Sequence, residues 1–464
     1  MNRSKTYYII SLGCAKNQVD SELIIESLSE KGWKKASSAE EAYFIIVNTC
    51  GFIESAKEES INTLLAYQQE YPDSVIIAAG CLSERYSTDL AESIPELGGV
   101  FGNANISMVA DYIDKLYLKE TPSDSTFVKV PLLADVTSES FTRDDNSSVD
   151  RTVLLSRPGS AYIKITEGCN NNCSFCAIPV IRGKLRSRKI ESIIKEITNM
   201  TQNGIKEINL VGQDLGSYGK DLKDVDGDKS KCLLSELLLE IEKIPGNFLI
   251  RMLYIHPDNF PKDILPICAK SRRIAPYFDI PFQHASMPVL SSMNRRGDKD
   301  KYLRLISYIR EYLPDAVIRT TFMLGFPGED SSDRDELEYF IKKGCIDWAG
   351  FFVYSREEDT PAFDFDNERA HKKRVKAAEK KLPELKDLQT RITEDRLKRF
   401  IGIKVDLLVE EAVNEEDLYL CRSWIQAPDV DGLVVLHADE GSLSPGDFVE
   451  AEIIAVNGID LEAK

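Results

Sequence analysis

Short apolar runs alternate with helix-forming stretches along the first hundred residues. YYIISL (7–12), AYFIIVN (42–48) and VIIAA (75–79) read as strands, and the patterns at 21–31, 54–71, 83–92 and 105–117 read as helices. Continuous apolar strands joined by helices predict a parallel sheet covered on both faces. Six more strand candidates follow: AYIKIT (161–166), EINLVG (207–212), FLIRMLY (248–254), YFDIP (277–281), VIRTTFMLG (317–325) and WAGFFVY (348–354). Each precedes a helical pattern, which predicts a partial parallel (β/α)6 barrel, TIM-like but smaller, with its chemistry at the C-terminal strand ends.

The stretch 121–150 is rich in Ser, Thr and Asp without helical period and reads as a connection between domains. The charged stretch 371–399 predicts a pair of helices broken at Pro383. Beyond it, strand-like segments separated by Gly, Pro and Asp predict a small, closed, antiparallel β-barrel. The fold expected is α/β, divided into an N-terminal parallel domain (1–122), a linker (123–154), the barrel domain (155–386) and the small β-barrel domain (387–464).

Composition narrows the function. The 464 residues are 43% apolar and 29% charged, enough for several buried cores and too apolar for a disordered chain. No run approaches the ~18 consecutive apolar residues of a membrane span, and Tyr7 to Ile10 is too short for a secretory core. The expected location is therefore cytoplasmic, without a membrane partner. A net charge of −18 makes nucleic acid a poor default partner. Ten cysteines in a reducing compartment point to ligands, nucleophiles or packing rather than disulfides.

Cys169, Cys173 and Cys176 follow the first barrel strand as C-x3-C-x2-C within EGCNNNCSFC. Three closely spaced thiolates suit three irons of a four-iron cube and leave the fourth open. Zinc usually takes four protein ligands, and no fourth Cys or His lies nearby in the sequence. A second set is dispersed: Cys14, Cys50 and Cys81 each come just after one of the three N-terminal strands. Loops leaving the C-terminal ends of parallel strands share one edge, so these thiolates are expected to converge on a second open site; buried packing cysteines are the plainer alternative. Cys232, Cys268, Cys345 and Cys421 stand singly and are assigned to packing.

The triplet at this place in a six-unit barrel resembles the radical S-adenosylmethionine (SAM) superfamily. The resemblance implies that the open iron chelates the amino and carboxylate groups of SAM and that reductive cleavage yields a deoxyadenosyl radical. It also implies that Phe175 packs beside the adenine. The three N-terminal cysteines and the small C-terminal barrel extend the likeness to the methylthiotransferases, built of an N-terminal cluster domain, a radical SAM barrel and a TRAM domain. CAIPVIRGKLRSR (176–188), VGQDLGSYG (211–219), YIHPD (254–258), DIPFQHAS (279–286) and RTTFMLGFPGE (319–329) also match. The resemblance implies two 4Fe–4S clusters, SAM and an external electron donor. One cluster site would generate the radical and the other would hold the sulfur inserted at the substrate carbon.

SLGCAKNQVDSE (11–22) and QDLGSYG (213–219) resemble the branch that modifies an aspartate of the twelfth small-subunit ribosomal protein, free or in the assembled subunit. Charge gives an independent argument. From residue 401 onward three basic residues face fifteen acidic ones, whereas a tRNA-gripping barrel should carry a basic stripe and stacking aromatics. An acidic barrel suits a basic protein partner. The rivals are a tRNA adenosine methylthiotransferase with the same six cysteines and a non-catalytic iron–sulfur protein. The run RGKLRSRK (182–189) reads as a segment at the barrel mouth, or as solvated charge.

Other candidates sit at barrel strand ends: Gln213, Asp214, Gln283, Gly325 and Gly328. The resemblance implies SAM contacts there, with Gln213, Gln283, Gly325 and Gly328 joining Phe175. His256 and His284 lie in similar positions, where a lone histidine is more often a hydrogen-bonded core residue than a ligand.

Overall fold

The computed structural model describes residues 4–119, 132–133, 151–222, 231–413 and 416–464. They form two compact units. The first takes in the described residues within Met1–Leu155 together with Glu167–Asn170 and Cys176–Arg188, and the second Ser156–Thr166, Asn171–Phe175 and the described residues within Lys189–Lys464. The connection expected at 121–150 lies almost wholly outside the described residues. Among the described residues no helix is long and apolar enough to cross a membrane.

In the first unit the strands are β1 (Thr6–Ser11), β2 (Lys34–Lys35), β3 (Phe44–Thr49), β4 (Val75–Gly80), β5 (Gly99–Phe101) and β6 (Leu132–Leu133). They form one parallel sheet in the order β2-β1-β3-β4-β5-β6. Every side chain of β3 and β4 is buried, as a parallel strand covered on both faces requires. On one face Ile45, Val47, Ile76 and Ala78 pack with Leu64 of helix α2 (Glu54–Glu70) and with Leu90. On the other, Phe44 meets Trp33 and Phe101 meets Tyr112.

The first helix, α1 (Ala15–Glu30), begins six residues before the apolar pattern shows it, directly after Cys14. Its first turns bury polar residues, Asn17, Asp20, Ser21 and Glu22 among them. They are held by hydrogen bonds rather than apolar packing, so apolar periodicity is blind to them. The region 83–92 is two short helices, α3 (Cys81–Arg85) and α4 (Ser87–Ser93).

In the second unit β7 (Ser160–Lys164), β8 (Glu207–Val211), β9 (Leu249–Met252), β10 (Ile274–Asp279), β11 (Val317–Leu324) and β12 (Trp348–Val353) pair in sequence order, all parallel. This is the six-unit architecture expected from the strand pattern. The charged stretch near 371–399 corrects an expectation, because one continuous helix, Glu368–Leu397, runs through Pro383. Proline removes the bond to the carbonyl of Glu379, but both residues are exposed, which spares that oxygen the cost of burial without a partner. Beyond the proline the helix is tied down where Gln389 donates to the Ile346 carbonyl (2.9 Å) and Thr393 to the Asp347 carbonyl (2.6 Å).

The small barrel is closed by β13 (Lys404–Ala412), β14 (Leu418–Arg422), β15 (Val434–His437), β16 (Phe448–Asn457) and β17 (Asp460–Ala463). The sequence pattern missed β17. With it the barrel has five strands, and an odd number cannot close with antiparallel neighbours alone. Thus β15 and β17 pair in parallel, while the other four pairs are antiparallel.

Candidate active site

Cys14, Cys50 and Cys81 sit at the C-terminal ends of β1, β3 and β4, on one edge of the first sheet. Backbone economy brings the loops together. Gly13 has φ +86° and lies so close to Cys50 that a Cβ there would fall 2.8 Å from the Cys50 Cβ and 3.0 Å from its sulfur. Gly51 abuts Leu82, where a Cβ would come within 2.7 Å of backbone. Asn17 pins the same edge, its amide donating to the carbonyls of Leu12 (2.7 Å) and Asn48 (3.1 Å). Asn48 returns a bond to the Asn17 carbonyl (2.8 Å).

The three thiols differ. Cys14 is exposed, Cys50 half-buried and Cys81 buried. Burial pushes Cys81 up to about 12 and raises Cys50, with the charge of Arg182 opposing at both. At Cys14 desolvation also works upward, but the charges of Lys16 and Arg182 and the backbone N–H groups of Asn17 and Lys16 prevail and lower it. Asn103 donates to the Cys81 sulfur at 3.3 Å and Arg182 does so at 3.2 Å.

Arg182 belongs to the stretch after the cysteine triplet. Glu167–Asn170 and Cys176–Arg188, which carry Cys169 and Cys176, are part of the first compact unit. There Ala177 and Ile181 share a buried apolar cluster with Cys81. The Cys169 N–H donates to the Gly183 carbonyl (3.1 Å) and the Leu185 N–H to Asn170 (3.1 Å), folding this loop onto itself. A cavity of about 180 Å³ opens beside it, bordered by Glu84, Asn103, Glu167, Ile181, Arg182 and Arg186. The basic run read as a barrel-mouth or solvated segment thus has its first arginine buried against Cys81.

In the second unit Cys173 is buried, with its sulfur 3.8 Å from His256 Nε2. His256 Nδ1 accepts from the Asp258 N–H (3.2 Å), which leaves the proton on Nε2, facing the sulfur. Burial, then the charge of Arg295, lowers this imidazole to about 4, so it is neutral at physiological pH. Asp214 accepts from Asn171 (2.8 Å), Asn259 (2.7 Å), Ser217 (2.7 Å) and the His256 N–H (3.0 Å). It anchors the cysteine loop through Asn171, both its oxygens being taken up by these bonds. Asn17, Asn103 and Asn171 escaped the sequence reading, and Arg182 entered it only as part of a basic run, since a polar side chain that supports a neighbouring loop leaves no periodic or spacing signal.

Among the strand-end candidates, Gln213 Nε2 and Gln283 Oε1 are buried without hydrogen-bond partners, as is Thr166 Oγ1. Gln283 has φ +69°, while its backbone bonds to Thr321 and Met323 on β11. Gly325 donates its N–H to Glu329 (2.6 Å), and Gly328 has open space where a Cβ would stand. Phe175 is buried with its ring edge-on to Phe326. His284 is fully buried, with Nδ1 accepting from the Ser286 N–H (3.0 Å). Orphaned buried amides cost free energy unless a polar ligand reaches them, so these groups fit a polar cofactor. Among the described residues no three His, Cys, Asp or Glu side chains converge as on a single metal ion. In an iron–sulfur cube each thiolate binds its own iron, so thiols carried by separate strand ends of one sheet edge, as Cys14, Cys50 and Cys81 are, are compatible with a cluster.

Comparison with known proteins agrees with this architecture. Residues 6–102 match the uncharacterized protein family UPF0004, 163–341 the radical SAM superfamily and 401–464 the TRAM domain. The ribosomal protein uS12 methylthiotransferase RimO of Treponema denticola is 46% identical, over 97% of this chain and 98% of that protein. This chain belongs to the RimO family. The RimO of Acetivibrio thermocellus is 39% identical over 98% of this chain and 96% of that protein, so the RimO likeness spans all three regions. Among solved structures, the radical SAM methyltransferase TsrM of Kitasatospora setae shares the fold at TM-score 0.54 and 14% identity, covering 77% of this chain and 74% of that one.

Proposed function

We propose that this chain is a methylthiotransferase acting on an aspartate β-carbon of ribosomal protein uS12 in the cytoplasm. The observation that carries the reading is the packing of the Cys176–Arg188 stretch into the same compact unit as Cys14, Cys50 and Cys81. A reaction that both activates a carbon and delivers sulfur to it needs two reactive groups at one place. Identity to RimO proteins along the whole chain supports the substrate.

In this reading Cys14, Cys50 and Cys81 would hold one 4Fe–4S cluster and Cys169, Cys173 and Cys176 the other. When bound, the clusters and SAM supply radical hydrogen abstraction, sulfur and the methyl group. The protein's own work is positioning. Asn17 and Asn48 fix the first cysteine loops, and Asp214 holds the second through Asn171. Phe175 offers an aromatic wall, Gln213 a donor and Gln283 an acceptor toward SAM, while Gly325 and Gly328 allow close backbone approach. Electrons come from an external donor. The small barrel, with fifteen acidic residues against three basic, favours a basic protein over tRNA.

The test is co-expression with uS12 in cells lacking their own such enzyme, followed by mass spectrometry of uS12 peptides and hydrolysed tRNA. One methylthio group on an aspartate, absent with Cys169→Ala, is the expected result. A methylthio-adenosine with unmodified uS12 would overturn the substrate assignment.

A further inference from the structure

We propose that Arg182 is a positioning residue that sets the reduction potential of the N-terminal cluster by directing a charged N–H at the sulfur of Cys81. The proposal rests on the reading that Cys14, Cys50 and Cys81 hold that cluster.

Arg182 has only 3% of its side chain exposed. Its guanidinium donates to Asp20 (2.9 Å) and Glu167 (2.8 Å) as well as to Cys81 (3.2 Å). Asp20 is 1% exposed and lies on α1, six residues beyond Cys14; Glu167 stands two residues before Cys169. A buried guanidinium needs compensating partners, and two carboxylates already balance one positive charge. The third contact, to a sulfur, is therefore not needed for neutrality. One side chain joins the helix after Cys14, the thiol of Cys81 and the approach to Cys169.

Reduction adds negative charge to a cluster. Hydrogen bonds to the cysteine sulfurs and nearby charge are the levers by which a protein moves that equilibrium. A positive donor at Cys81 favours the reduced form, and the carboxylate of Asp20 opposes it.

The test uses the full-length chain carrying Cys169→Ser, Cys173→Ser and Cys176→Ser, so that iron reports only the N-terminal site. After anaerobic reconstitution, the midpoint potential is read by an EPR-monitored redox titration. Arg182→Gln should lower the potential and Asp20→Asn should raise it, each by about a tenfold change in the oxidised-to-reduced ratio at fixed potential, or about 59 mV for a one-electron couple. Arg182→Lys, which keeps the charge and loses the fork, should fall between Arg182→Gln and the parent. Opposite signs exclude a general loosening of the fold, which would move both variants alike. If Arg182→Gln fails to load, a raised potential in Asp20→Asn still supports the proposal and an unchanged one overturns it. Loaded variants with unmoved potentials overturn it too. A parent that takes up no iron would overturn the ligand assignment itself, and this proposal with it.

Discussion

Arg422 of the small barrel grips Glu207, the first residue of β8, through two guanidinium nitrogens at 2.9 and 2.7 Å. Arg251 donates to the same carboxylate at 3.0 Å and to the carbonyls of Ser423 (2.9 Å) and Trp424 (2.7 Å). Glu410 closes the network on the Arg422 Nε (2.6 Å). Asp431 adds a bond from Tyr277 (2.6 Å), and Ile425 accepts from the Trp348 indole (3.0 Å). Buried polar contacts thus fix the segment 422–431 against the six-stranded sheet, at the end of the strands opposite Gln213 and Gln283.

This arrangement predicts that Glu207→Gln destabilises the chain by roughly 3–5 kcal/mol, because two buried guanidinium groups lose their shared counter-charge. Burial works to raise the Glu207 carboxyl, but Arg422 and Arg251 overcome it and hold the group well below the usual range. A depressed carboxyl contributes fully above its unfolded value of about 4.3, and the contribution is lost as pH falls through the folded value. The gap in urea midpoint between the parent and Glu207→Gln should therefore be larger at pH 7 than at pH 3. A gap independent of pH would refute the charge account.

His284 makes the chain's stability depend on mildly acidic pH. Burial lowers its imidazole from 6.5 to about 4, with Asp333 working upward and Arg334 downward; Glu329 lies 3.9 Å from Nε2. A histidine buried neutral contributes stability above its unfolded pKa and loses it as pH falls toward the folded value. Between about pH 6.5 and 4 the parent should weaken more steeply than His284→Gln, by up to about 3 kcal/mol over the window. Urea unfolding at pH 7.5 and pH 5 measures this.

Gly13→Ala should disable the N-terminal cluster site selectively. The new Cβ meets Cys50 at 2.8 Å and the backbone must hold φ +86°, a strain of about 1 kcal/mol or more before any clash. Reconstituted iron should drop to roughly half that of the parent, on the expectation that two like clusters load independently. Full iron content would mean that the loops tolerate the methyl group.

Gln213→Leu should weaken SAM binding by up to about tenfold, the worth of one hydrogen bond, with iron content unchanged. Equilibrium dialysis of SAM against the reconstituted chain is the measurement. Unaltered affinity would mean that the orphaned amide serves something other than SAM.

Local sequence determined a good deal of this protein. Short apolar runs at strand length specified both parallel sheets, because a strand buried on two faces needs continuous apolar residues. The spacing of Cys169, Cys173 and Cys176 is a local signal because one short loop carries all three. The shared sheet edge of Cys14, Cys50 and Cys81 follows from sequence because each comes after a strand and parallel topology carries strand ends to one edge. Only the tertiary structure decided the rest. The start of α1 and the continuity of Glu368–Leu397 through Pro383 depend on long-range hydrogen bonds that outweigh local signals. The parallel pair β15–β17 follows from closing five strands. Arg182, in a run that reads as a barrel-mouth segment or as solvated charge, is buried between Asp20, Glu167 and Cys81 because residues 162, 15 and 101 positions away in sequence fold against it. A charged side chain becomes a buried partner only when distant residues supply its counter-charges, and that pairing leaves no local pattern to read.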